Sequence, residues 1–301
     1  MIEFPRALST MRTLLVDHWQ LSRPCAFCQR QLTTAMPGAT ERQSASVSPP
    51  PSFSSLATRS RHERELSSRR EWCDACEARI ARNQHACPRC AEPVASLALS
   101  QQACARCLSS PPAFARCFAP LRYEGLLAGL FQRYKDQHQH QRRAGRLLRQ
   151  LMQRELAHFC REWRQAHPHG AVLLVPADAC RRRQRGHDAL AELCRGLSPA
   201  IAGHPRDMAR VRGKRMPHEA SVAVARAAPD QRLRDRRGRL KAQRGRYDID
   251  GLLPEHVLLI DDVMTSGATL DSLAQACLRA GAREVDACVL ARTPLALRGA
   301  L

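Results

Sequence analysis

Eight of the chain's fourteen cysteines fall in four C-x-x-C pairs, all before residue 110. They are Cys25/Cys28 in RPCAFCQR, Cys73/Cys76 in EWCDACEA, Cys87/Cys90 in HACPRCAE and Cys104/Cys107 in QACARCLS. A two-residue gap lets both sulfurs of one tight turn reach a single ion, and two such turns complete a tetrahedral thiolate site. Four pairs can hold one or two structural Zn²⁺ ions in a zinc-ribbon module, and the spacing alone leaves the pairing open. A site with four protein ligands has no open position, so it supports a fold and does no chemistry on a substrate.

A second group of reactive side chains lies near the C-terminus, in HVLLIDDVMTSGATLD at residues 256–271. Four apolar residues run into Asp261 and Asp262, then into Thr265, Ser266, Gly267, Ala268 and Thr269, where a helical pattern begins. Two adjacent carboxylates at the end of a buried strand are costly unless a partner neutralises them. Gly267 lets the backbone fold into a concave nest, and the N–H groups of a helix start converge there on an anion. The hydroxyls of Thr265, Ser266 and Thr269 add donors. A phosphate monoester on a sugar satisfies both halves: its phosphate takes the nest, while vicinal hydroxyls donate to the acids or share a Mg²⁺ with them. A single glycine is unlike the G-x-x-x-x-G-K-[ST] loop, which leaves an ATPase without support.

Elements that can place these residues follow from periodicity. AVLLVP (171–176) and VLLI (257–260) are short apolar runs, and VDACVLA (285–291) is a third. Leu147, Leu148, Leu151, Met152, Leu156, Phe159 and Trp163 share one face of a predicted helix. Helices are also predicted over 186–197 and from Leu270 through Leu273, Ala274, Cys277 and Leu278 to a stop at Gly281. Strands alternating with helices imply an α/β fold with a parallel sheet, whose ligands sit at the carboxyl ends of the strands. The composition divides the chain into a Cys-rich module over 1–110 and an α/β domain over 111–301. Residues 36–71, rich in Ser, Pro and Arg, are expected to be a disordered insertion within the module. Residues 213–245 are charged and weakly patterned and read as a long mobile connection.

The 301 residues carry 48 Lys+Arg against 28 Asp+Glu, a formal charge of +20. That balance suits phosphate-bearing partners, although an Arg-rich coding bias produces it equally well. No apolar run approaches the roughly 18 residues of a membrane span. The N-terminal stretch lacks the marks of a secretory signal, so a cytoplasmic protein without membrane insertion is expected. Cys117, Cys160, Cys180, Cys194, Cys277 and Cys288 lie mostly within apolar patterns and read as core thiols.

VLLIDDVMTSGATL resembles the phosphoribosyl pyrophosphate (PRPP) signature of type I phosphoribosyltransferases: an apolar strand, two acids, then Thr/Ser-Gly-x-Thr. With the C-x-x-C pairs ahead of it, and with LRYEGLLAGLFQRYKD, VPADACRRRQRGHDALAELC and RVRGKRMPH, the chain more narrowly resembles the ComF family of bacterial competence and DNA uptake. The likeness spans nearly all of the chain apart from residues 36–71. It implies a type I phosphoribosyltransferase-like domain in which Asp261 and Asp262 bind ribose hydroxyls and Thr265 to Thr269 bind the 5-phosphate. It also implies that Arg183 and Arg185 lie near the pyrophosphate, that Lys135 is the family's lysine, and that 213–245 is the hood over the site. These three basic residues are the catalytic candidates the resemblance offers.

The chain departs from the family pattern at several places. Arg185-Gly186-His187-Asp188-Ala189 stands where Arg-Gly-Phe-Asn-Gln is usual, His218 replaces a glutamine, Ala242 an asparagine and Tyr247 a phenylalanine. Thr265 occupies the position of a carboxylate in the purine enzymes, so an obvious general base is missing. Two functions therefore stay open. One is a Mg²⁺-dependent phosphoribosyltransferase that binds PRPP or a related ribose phosphate. The other is a non-catalytic competence factor that uses the pocket as a ligand sensor while its zinc module and basic surface hold single-stranded DNA or competence proteins.

Overall fold

Val257, Leu258, Leu259 and Ile260 are four consecutive apolar residues, and all are buried. A strand with no polar alternation must be covered on both faces, which is the signature of the interior of a parallel sheet. The computed structural model describes residues 24–28, 30, 71–136, 142–177, 188–197, 221–224 and 247–297. Two units divide the chain, Met1–Arg79 and Ile80–Leu301. That division places Cys87 to Cys107 in the same unit as the sheet, whereas composition divides the chain near residue 110.

In the first unit the described residues are few. Helix α1 (Asp74–Glu77) follows directly from Cys73. Trp72 is buried and meets the ring of Phe27 edge-on, with centroids 6.3 Å apart. The Ala26 N–H donates to the Glu71 carbonyl at 2.8 Å, drawing the Cys25 turn onto the Cys73 turn.

The second unit begins with short helices α2 (Leu97–Ser100) and α3 (Ala105–Ser109), strands β1 (Arg116–Phe118) and β2 (Leu121–Arg122), and helix α4 (Gly125–Lys135). Helix α5 (Arg142–Ala166), β3 (Ala171–Leu174) and α6 (Ala189–Cys194) follow. The chain then forms β4 (Ser221–Val224), β5 (Tyr247–Asp250), β6 (His256–Met264), α7 (Ala268–Arg279) and β7 (Glu284–Arg292). The main sheet is parallel, in the order β1–β7–β6–β3, with β2 also on β7. Strands β4 and β5 form a separate antiparallel pair, so residues 221–224 are strand within the stretch 213–245 that reads as a long mobile connection.

Helices α5, α6 and α7 form where the apolar spacing predicts them, and α4 is a further helix. On α5, Leu147, Leu148, Leu151, Met152, Leu156 and Trp163 are buried, while Phe159 is half-buried and stacks on Phe118 at 4.7 Å. Tyr134 of α4 lies against Gly145 of α5, where a Cβ would come within 2.7 Å of the ring; only glycine allows that approach. The Tyr134 hydroxyl donates to the Ala189 carbonyl at 2.9 Å and so ties α4 to α6. Helix α6 starts at Asp188, whose carboxylate accepts the Ala191 N–H at 3.1 Å. An aspartate in place of the expected asparagine keeps the N-cap.

Among the described residues no helix is long and apolar enough to cross a membrane. Cys117, Cys160, Cys194, Cys277 and Cys288 are buried in the core as read from their patterns. Arg183, Arg185, Cys180, His187, His218, Ala242 and residues 36–70 lie outside the described residues.

Candidate functional site

The acids are not beyond the end of a strand but within one. Strand β6 continues through Asp261 and Asp262 to Met264, because β7 pairs with it as far as Arg292. Asp261 and Asp262 are thus neighbours on the strand at the carboxyl end of the sheet. Asp262 is buried and Asp261 half-buried.

Each acid has its own partner. Lys135, in the last turn of α4, places Nζ 2.7 Å from Asp262 Oδ2. The lysine's ring neighbour is Phe131, whose centroid is 5.2 Å away. Asp261 Oδ1 accepts the N–H of Asp262 at 2.8 Å. That bond does not offset its surroundings: burial, and then the neighbouring Asp262 charge, push the Asp261 carboxyl up to about 8, against the lowering pull of the N–H and of Lys135. Burial thus favours the protonated form of the Asp261 carboxyl, and a ligand that donates to it favours the carboxylate.

Beyond Met264 the chain turns sharply. Gly267 has φ +81° and ψ 0°, the left-handed region, and it caps α7. A Cβ there would also meet Met264 Sδ at 3.3 Å. The Ser266 hydroxyl accepts the Ala268 N–H at 3.3 Å, and the helix proper begins with the Asp271 N–H donating to the Gly267 carbonyl at 2.9 Å. Thr265 is exposed, while Ser266, Gly267 and Thr269 are half-buried around the helix start. The first turn of a helix leaves backbone N–H groups without intrahelical partners, and the helix dipole adds a partial positive charge there. Lys135 is thus joined to Asp262, and the acids precede the loop by a few residues on the same chain segment. Asp271 is no part of this ligand surface: its carboxylate accepts the Ala113 N–H at 2.7 Å and the Gln275 side-chain amide at 3.1 Å.

The cysteines assemble in chain order. Cys25, Cys28, Cys73 and Cys76 form one group, and Cys87, Cys90, Cys104 and Cys107 another, with the four sulfurs of each within 4.8 Å of one another. The first group closes across residues 36–70, which the slow growth of loop-closure entropy with length permits. Both groups repeat one arrangement. The Cys73 N–H donates to Cys25 Sγ at 3.3 Å, and the Cys104 N–H donates to Cys87 Sγ at 3.2 Å. Burial raises the Cys25 thiol, but N–H donors from Cys28, Cys73 and Phe27 outweigh it and bring the group to about 6. Cys87 comes to about 7 by the same balance, with donors from Cys104, Cys90 and Arg89. Four thiols at this spacing, one in each group already pulled toward thiolate, fit a tetrahedral Zn²⁺. Among the described residues these are the groups of three or more side chains able to hold a metal, so the acid pair builds no protein cage for Mg²⁺.

Two residues that carry the site's surroundings have no motif of their own. Arg292 ends β7 and is fully buried, and Asp286 in the same strand is buried as well. Asp286 Oδ2 accepts from Trp163 Nε1 at 2.8 Å and from Arg116 Nη2 at 2.9 Å. The one clue to each is a charge on an otherwise apolar strand.

With this geometry in view, the chain can be set beside known proteins. The chain is similar to the DNA utilization protein YhgH of Salmonella typhimurium. They are 29% identical over 223 residues, which cover 73% of this chain and 90% of the relative. The protein of the same name from Salmonella typhi matches to the same extent. No protein-family model matches the chain.

Proposed function

We propose that the carboxyl end of β6 and the start of α7 bind a ribose 5-phosphate, PRPP foremost, in a protein that serves the use of DNA. The observation that carries this reading is the union of two unlike half-sites on nine consecutive residues. Asp261 and Asp262, the second of them paired with Lys135 at 2.7 Å, stand a few residues before a left-handed glycine that opens a helix start. The acids match hydroxyl donors, and the nest matches a phosphate. The name of the similar Salmonella proteins supports the setting in DNA utilization.

In this reading the 5-phosphate lies on the N–H groups and hydroxyls of Thr265 to Thr269. Asp261 gives up its proton and accepts from a ribose hydroxyl, and Asp262 accepts from the other while keeping Lys135. Mg²⁺, when bound, would neutralise the pyrophosphate, and Asp261 and Asp262 are the residues that would hold it beside the ligand. The loop itself supplies donors, and none of its side chains takes up a proton near neutral pH, so any transfer to an acceptor base draws on groups outside it. Lys135, Arg183 and Arg185 are the cations proposed for the leaving pyrophosphate. The charge of +20 supports a polyanionic partner such as single-stranded DNA for the same protein.

Competition binding tests the reading. Ribose 5-phosphate should displace PRPP, and ribose without its phosphate should not; failure of both phosphorylated sugars to bind removes the proposal. Pyrophosphate release across a panel of nucleobases then separates a transferase from a ligand-holding pocket.

A further inference from the structure

The guanidinium of Arg292 lies between the second cysteine group and the proposed phosphate loop, and it is hydrogen-bonded on both sides. Toward the cysteines, Nε donates to the carbonyl of Cys90 at 2.9 Å and Nη2 meets the Glu92 carboxylate at 2.8 Å. Toward the loop, Nη1 donates to the carbonyls of Met264 at 2.9 Å and of Thr265, and to that of Thr293 at 3.1 Å. Cys90 is itself one of the four thiols, and Thr265 is the first residue of the loop. Glu92 is fixed in turn, because its other oxygen accepts the Leu295 N–H at 2.5 Å.

This connection is stiff. A guanidinium is planar, its donors point in fixed directions, and burial leaves no water to replace a lost partner. The Cys87–Glu92 turn is also held in an unfavourable shape: Ala91 has φ 53°, the only positive value among the described residues other than glycine. Such a turn persists when its surroundings over-determine it, and an ion bound by Cys87, Cys90, Cys104 and Cys107 does so. Without that ion, the Cys90 carbonyl is free to shift, and Arg292 must either lose a buried bond or carry Met264 and Thr265 with it.

We infer that Arg292 is a positioning residue that couples metal occupancy of the second cysteine group to the shape of the Thr265–Thr269 loop. The functional consequence, a phosphate site formed only in the metal-loaded protein, rests on the loop's being that site; the coupling itself does not. By linkage, whatever the metal does for the loop, a ligand on the loop does for the metal.

Hydrogen exchange of the full chain reads the coupling without any ligand. The quantity is the exchange of amides 265–269 relative to those of 257–260 in the same strand-and-loop segment. Cys107→Ser, and Arg292→Met in zinc-loaded protein, should each raise that ratio about tenfold, the scale of a typical coupling free energy. Cys76→Ser, which breaks the first group instead, should leave it unchanged. A ratio that stays put in Cys107→Ser or Arg292→Met, whether both segments remain protected or lose protection together, overturns the inference. So does a rise in Cys76→Ser as large as in Cys107→Ser. Zinc release to a chromogenic chelator gives the reciprocal arm. If PRPP binds wild type yet leaves the rate of zinc release unaltered, the coupling fails while the phosphate reading survives. If PRPP does not bind at all, the reading fails and the exchange ratio still decides the coupling.

Discussion

In the proposed site Asp261 accepts from a sugar hydroxyl best as the carboxylate, so ligand binding displaces its proton and should depend on pH. Its carboxyl is raised from 3.8 to about 8 by burial and by the charge of Asp262. Below that value each added ligand displaces one proton, so affinity for PRPP should rise with pH by up to about tenfold per unit and level off above about 8. Calorimetry in buffers of different ionisation enthalpy would show the released proton, and Asp261→Asn would remove it. The sign reverses for the stability of the free protein. The folded state keeps a proton that the unfolded chain gives up near 3.8, so stability falls as pH rises between about 4 and about 8. In a melting series over that window, Asp261→Asn should flatten the decline. Gly267 offers a second test at this scale. Its φ of +81° and the 3.3 Å approach of Met264 Sδ both oppose a side chain. Gly267→Ala should cost about 1–2 kcal/mol in denaturant unfolding and weaken phosphate binding, whereas Ser266→Ala, which leaves the backbone unstrained, should cost less.

Strand β7 shows how one element can carry roles that its pattern conceals. The apolar residues of VDACVLA announce a buried strand, and β7 is one. Its two buried charges do different things: Asp286 anchors Trp163 of α5 and Arg116 of β1, while Arg292 reaches the loop after β6. Asp286→Leu leaves the Trp163 N–H without its buried acceptor and should cost about 1–3 kcal/mol in thermal or denaturant unfolding. Asp286→Asn, which keeps an acceptor, should cost less. The alternation of strand and helix from β6 through α7 to β7 was legible because each period is strong and each stop is marked, the last by Gly281 with φ +100°. The course of β6 through Asp261 and Asp262 was not. Polar residues after an apolar run read as a loop, and only pairing with β7 keeps them in the strand. Arg292 was equally silent, since one arginine among 48 basic residues has no local signal to set it apart.

At the scale of the whole molecule the cysteine spacing announced metal, and the fold supplied the pairing that spacing left open. Cys25/Cys28 join Cys73/Cys76 in one unit, and Cys87/Cys90 join Cys104/Cys107 in the other. Metal analysis of the purified protein should return two zinc ions per chain, and Cys107→Ser should return one. A value of one or less for wild type would contradict two independent tetrathiolate groups. The pairing was hidden because it depends on which turns approach in space, here through contacts such as the Cys73 N–H on Cys25 Sγ. The proposed site is the opposite case: its residues are consecutive, so the acids and the loop lie close along the chain whatever the fold.

The central claim is that Asp261, Asp262 and the Thr265–Thr269 loop form one binding site for a phosphorylated ribose. Isothermal titration of zinc-loaded protein with PRPP and Mg²⁺ tests it most directly, with wild type beside the Asp261→Asn, Asp262→Asn double variant. The account predicts saturable one-to-one binding to wild type and at least a hundredfold loss in the double variant, about 2.7 kcal/mol for two charge-assisted hydrogen bonds. Equal binding by the two proteins, or no binding by wild type, would contradict it.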